Sequence, residues 1–163
     1  MDLGISNQCQ DIYEKTSINL AHFKEMLELT QKLESKSLDN ELELSKEILE
    51  QRQGVIDQID QVNIEIDLLQ SKIIQKIGQK NFNLESIQSY ISEDLYKNLK
   101  TRSAMIRELI LQIQNLDKEY LKNAKMVREG AKLQLLRVRS VLHPGRFYHK
   151  VYAPEPRFVD KKR

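Results

Sequence analysis

The stretch Ile48–Ile73, ILEQRQGVIDQIDQVNIEIDLLQSKI, decides the fold class. Ile48, Val55, Ile59, Val62, Ile66, Leu69 and Ile73 recur at steps of three, four and seven, with Arg52 in the one slot that is not aliphatic. Such steps return a side chain to the same face of an α-helix, because successive residues turn by about 100°. A strand would alternate every second residue, and this stretch does not. The rhythm extends the helix from about Glu41 to Ile77. Gly54 lies inside it at a cost of about 1 kcal/mol relative to Ala. Gly78 lies just beyond it, where a left-handed closing residue is expected.

The same rhythm runs outward in both directions. Upstream, Cys9, Tyr13, Thr16, Leu20, Phe23, Leu27 and Thr30 form one stripe, widened by Ile12, Met26, Leu29 and Leu33, and predict a helix from about Asn7 to Leu33. Ser35 to Asn40 interrupts it with turn-favouring residues, and Asp39 or Asn40 suits the N-cap of the next helix. Downstream, Phe82, Leu84, Ile87, Tyr90 and Ile91 suit one short helix or a packed loop, with Asn83 as a cap. Ser92-Glu93-Asp94 reads as a helix start: a capping hydroxyl, then acids at the positive helix end. Leu95, Leu99, Ile106, Leu109, Ile113, Leu116, Tyr120 and Val127 carry a third long helix to about Val141, with Arg102 and Asn123 at polar slots. After Val127 the stripe continues through Ala131, Leu135, Val138 and Leu142, one residue out of heptad phase, with Gly130 at the shift. His143-Pro144-Gly145 ends the helix, since Pro cannot continue it.

The expected architecture is all-α: an antiparallel three-helix bundle or coiled coil over residues 1–142, followed by an extended basic, aromatic tail over 143–163. The three helices would be roughly 40, 55 and 74 Å long. The third therefore outruns the other two. Val127, Ala131, Leu135, Val138 and Leu142 should lie on an end that overhangs, or on one broken at Gly130. Each large aliphatic there stands to contribute about 1.5–3 kcal/mol if covered. An open stripe of this kind usually meets a partner or another copy of the chain.

Composition narrows the function classes. The chain has 163 residues, 40% hydrophobic and 31% charged, with 5 Gly and 3 Pro, which fits long helices and not a β-sandwich or a disordered chain. Its single Cys excludes an internal disulfide framework. No apolar run approaches the roughly 18 residues that span a bilayer. With no secretory signal pattern at the start, the expectation is a cytoplasmic protein without membrane insertion. The net charge of +2 hides an asymmetry: residues 1–120 hold 14 basic and 21 acidic side chains, and residues 121–163 hold 12 and 3. The basic end and acidic body could pair within one molecule.

No phosphate loop, dinucleotide fingerprint or His-Glu-x-x-His pattern occurs. The histidines are scattered; His143 and His149 could share a metal with Asp160 only if the tail brought them together. Cys9 has no triad context, and the carboxylates sit on helix faces where i,i+4 pairing accounts for them. The expectation is a non-enzyme with no metal and no cofactor. The tail interleaves basic residues with Phe147, Tyr148, Tyr152 and Phe158, a pattern that can track a phosphate backbone. The acidic body opposes this, and Pro144, Pro154 and Pro156 break any membrane-surface helix, so neither nucleic acid nor membrane is expected.

In the order and style of its helices the chain resembles the FlgN-type flagellar export chaperones, with the FliT-type as neighbours. The resemblance is carried by Leu44–Ile59, by Phe23-Lys24-Glu25-Met26-Leu27-Glu28-Leu29 and the connection at Leu38, by Ile113-Gln114-Asn115-Leu116-Asp117, and by the ending Phe158-Val159-Asp160-Lys161-Lys162. It covers about Thr16 to the end. It implies a small, cytoplasmic, all-helical chaperone, monomeric or weakly dimeric, that holds the C-terminal helices of hook–filament junction proteins before type III export. It also implies that the C-terminal region binds this cargo, here Val127, Leu135, Val138 and Leu142, with the tail aromatics as weaker contributors. The basic, Pro-containing tail departs from the family pattern, which leaves cargo, the export apparatus and the chaperone itself as its possible contacts. The alternative reading is a structural coiled-coil homodimer, or scaffold, that uses the same stripe for self-association.

Overall fold

The computed structural model describes residues 3–37 and 42–142. Four α-helices follow one another: α1 (Leu3–Ser37), α2 (Leu42–Ile77), α3 (Leu84–Ile87) and α4 (Glu93–Leu142), with a 3-10 turn at Gln88–Tyr90 between α3 and α4. No strand occurs among the described residues, and the fold is an all-α helical bundle. The chain divides into two units, one ending at Lys122 and the other beginning at Asn123.

The helix limits follow from local chemistry. Asn83 caps α3: its side-chain oxygen accepts the Ser86 amide at 2.6 Å. Ser92 caps α4 in the same way, its hydroxyl accepting the Leu95 amide at 3.2 Å, and Glu93 and Asp94 face the amide-rich end. Gly78 closes α2 with φ at 69°, a left-handed conformation that costs a residue without Cβ nothing. The caps expected at Asp39 or Asn40 lie outside the described residues. Three features differ from the sequence reading. α1 runs to Ser37, not Leu33: Ser35 remains helical, its hydroxyl donating back to the Lys32 carbonyl at 2.8 Å instead of starting a turn. α1 starts at Leu3, not near Asn7, because Ile5 sits one turn before Cys9 on the same stripe and is 2% exposed. α4 runs through Gly130 without a break. The penalty of one glycine is about 1 kcal/mol, and good helix formers flank it.

The core of the first unit lies in two clusters. Ile5, Cys9 and Ile12 of α1 meet Ile66 and Ile73 of α2, Ile87 of α3, Ile91, and Leu95 and Leu99 of α4. Met26, Leu29 and Leu33 of α1 meet Ile48, Val55 and Ile59 of α2 and Ile113 of α4. Of the aliphatic slots of the α2 rhythm, Ile48, Val55, Ile59, Ile66 and Ile73 are buried, and Val62 and Leu69 are partly buried against the same core. Each such side chain contributes roughly 1.5–3 kcal/mol by leaving water.

Polar contacts set the register between helices. Lys15 pairs with Glu65. The Asn19 amide donates to the Asn63 side-chain oxygen at 2.8 Å, and the Arg52 Nε donates to the Met26 sulfur at 3.4 Å. Along α1 the partner numbers rise while along α2 they fall. Arg52 also forks onto Asp117 of α4, with both Nη–Oδ distances at 2.8 Å. Arg102 of α4 donates to the Tyr13 hydroxyl at 2.8 Å and lies 4.9 Å from that ring's centre.

Candidate functional site

The stripe of α4 changes character along its length. Leu95, Leu99 and Ile113 are 9%, 2% and 8% exposed. Val127, Leu135 and Val138 are 51%, 58% and 53% exposed, and Ala131 is exposed with them. The apolar repeat therefore continues on α4 where nothing among the described residues covers it. A regular helix holds the four side chains on one face, within an arc of roughly 80°. This is the geometry needed to receive another amphipathic helix.

The exposed apolar surface of this stretch exceeds the predicted stripe. Leu121, Met126, Leu133 and Leu136 are also exposed. The run Leu133-Gln134-Leu135-Leu136 signals this in the sequence, since two of its three leucines cannot share the face of Val127 and Val138. Leu142 ends α4, and its side chain lies outside the described residues, as do Phe147, Tyr148, Tyr152 and Phe158. The histidines His143 and His149, with Asp160, also lie there.

Residues the sequence reading did not assign to the site flank the stripe. Lys125, Arg128 and Lys132 are exposed and recur at steps of three and four. None of the three forms an ion pair among the described residues. Their spacing was the available signal; it was legible once the helix was known to continue past Gly130.

Elsewhere the ionisable groups serve the fold. The Cys9 thiol is fully buried and pushed up to about 11 by burial, which leaves it a neutral, unreactive apolar contact. Glu65 is held below the usual carboxylate range by its hydrogen bond and charge contact with Lys15. No group of three or more His, Cys, Asp or Glu side chains among the described residues is placed to hold a metal ion. No helix among them is long and apolar enough to cross a membrane. No protein-family model, curated protein or solved structure matches the chain.

Proposed function

We propose that this chain is an antiparallel helical bundle that acts as a cytoplasmic chaperone, holding amphipathic helices of secreted flagellar junction proteins before type III export. The observation that carries the reading is the exposed apolar face of α4, Val127, Ala131, Leu135 and Val138, on a helix whose earlier turns bury the same stripe. The opposed numbering of the α1–α2 contacts supports the antiparallel arrangement. The flagellar assignment rests on the sequence resemblance set out above. Mechanistically, a cargo helix would lay its apolar side on the stripe and complete a bundle. Both surfaces would then leave water, and the cargo could not use that side to assemble early.

The test is capture from the cytosol of the native organism, with full-length protein as bait beside a Val127→Asp, Leu135→Asp, Val138→Asp variant. Because all three side chains are exposed, the variant should keep its helical circular dichroism and its melting temperature. Secreted helical flagellar proteins retained by the wild type and lost by the variant are the expected result. Recovery of the bait alone, as a stable dimer that the three substitutions dissociate, would transfer the stripe to the structural homodimer reading.

A further inference from the structure

We propose that the α4 stripe selects an acidic amphipathic helix, whose carboxylates pair with the row Lys125, Arg128 and Lys132. The inference rests on the helix-binding reading above and adds the chemical class of the partner. On a helical projection the three basic residues span about 60° and border the apolar arc directly. All three are exposed, and none is paired among the described residues. Between positions 123 and 138 the one acidic residue is Glu129, which the same projection sets on the far side of the basic row from the stripe. A helix seated on Val127, Leu135 and Val138 therefore brings one flank against cations only. Carboxylates on that flank are favoured, and lysines are repelled.

The same charge pattern weighs against the other occupants. A second copy packed stripe to stripe sets the basic row against its own counterpart when antiparallel, which like-charge repulsion opposes, and against the flank of Asn123 and Gln134 when parallel, so no carboxylate meets the row in either arrangement. A nucleic acid would engage the cations but offers nothing to cover the aliphatic stripe. An anionic membrane could use both features. Helices that lie in a bilayer interface, however, carry a bulky face of Trp, Phe or Leu, and the described arc holds Val127, Ala131 and Val138 with a single leucine, Leu135.

The experiment uses the full-length chain and three labelled synthetic helices with identical apolar positions, whose flanks are Glu, Gln or Lys, read by fluorescence anisotropy at low and high salt. The Glu peptide should bind roughly tenfold tighter than the Gln peptide, as expected for about three rim ion pairs, with the Lys peptide weakest and the differences shrinking as salt rises. In a Lys125→Gln, Arg128→Gln, Lys132→Gln variant the three peptides should bind alike. Equal binding of all three by the wild type overturns the charge selection and leaves the helix-binding reading intact. Binding of none overturns both. Tighter retention on phosphatidylserine vesicles than on the Glu peptide overturns the proposal in favour of a membrane surface. A wild-type dimer in sedimentation that Val127→Asp dissociates overturns it in favour of a second copy.

Discussion

Arg52 occupies a slot where the α2 seam otherwise places Ile, Val or Leu, and its side chain is only 12% exposed. Its charge is tolerated because Asp117 meets it with a hydrogen bond and a second ion-pair contact, both at 2.8 Å, and Met26 accepts from its Nε. Asp117→Ala would leave that guanidinium without its ion partner. It should lower unfolding free energy by about 1–3 kcal/mol, read from urea titrations. Arg52→Met combined with Asp117→Leu should stay within about 1 kcal/mol of wild type, because replacing both partners leaves no orphaned charge. Cys9 makes a second residue-scale case. Its folded-state thiol titrates near 11, above the ordinary thiol value, so the native state retains a proton that the unfolded chain releases earlier. The contribution is intact below the unfolded value and disappears as pH rises through the folded one. Between about pH 9 and 11 the wild-type melting temperature should therefore fall more steeply than that of Cys9→Ala. The sequence identified Arg52 and Arg102 as exceptions in their stripes. That they meet Asp117 and Tyr13 depends on residues 65 and 89 positions away. Asn19 is less legible still: its position, seven residues from Ile12 and from Met26, is an inward one, and it is 2% exposed although its side chain is polar. Asn63 on the neighbouring helix takes up its amide.

At the scale of elements, three glycines occupy different backbone environments. Gly54 and Gly130 are helical and exposed, and a Cβ built on either meets no atom within 4 Å. Gly54→Ala and Gly130→Ala should each stabilise their helix, by about 0.5–1 kcal/mol. For Gly54 the gain should appear in chemical denaturation of the whole chain. For Gly130 it should appear as slower amide exchange around that position. Gly78 also has open space around it, but its φ of 69° penalises any residue with a Cβ. Gly78→Ala should therefore destabilise, by about 1 kcal/mol, in the same denaturation assay. The end of α2 at Gly78 and the caps at Asn83 and Ser92 were readable, since each is set by residues within four positions. The start of α1 was not, because Ile5 earns its place by packing with Ile66, Ile73 and Leu95 rather than by any local start signal. Continuity through Gly130 was open for a similar reason: a phase shift in the stripe and one glycine are consistent with a helix or with a bend.

Across the whole molecule, the sequence by itself determined the helical class, the identity of the aliphatic seam and the segregation of charge. All three follow from short-range periodicity and composition, which need no knowledge of what lies opposite. It also located the stripe Val127, Ala131, Leu135 and Val138, by carrying the register of the third helix to its end. The tertiary structure decided which stretches of that register are covered. Ile113 of α4 is buried against α1 and α2, whereas Val127 and Val138, equally apolar and on the same helix, are exposed. Burial depends on which elements come together in space, and a one-dimensional pattern records only that a face is ready to be buried. The tertiary structure likewise distinguished polar residues that join helices, Arg52, Arg102 and Asn19, from those that line the exposed apolar face, Lys125, Arg128 and Lys132. In sequence both sets are polar residues beside an apolar stripe. They differ because a donor within hydrogen-bond reach of a neighbouring helix, as in the Asn19 NH2 and the two guanidinium groups, finds its acceptor inside the fold, while one facing water remains available to a partner.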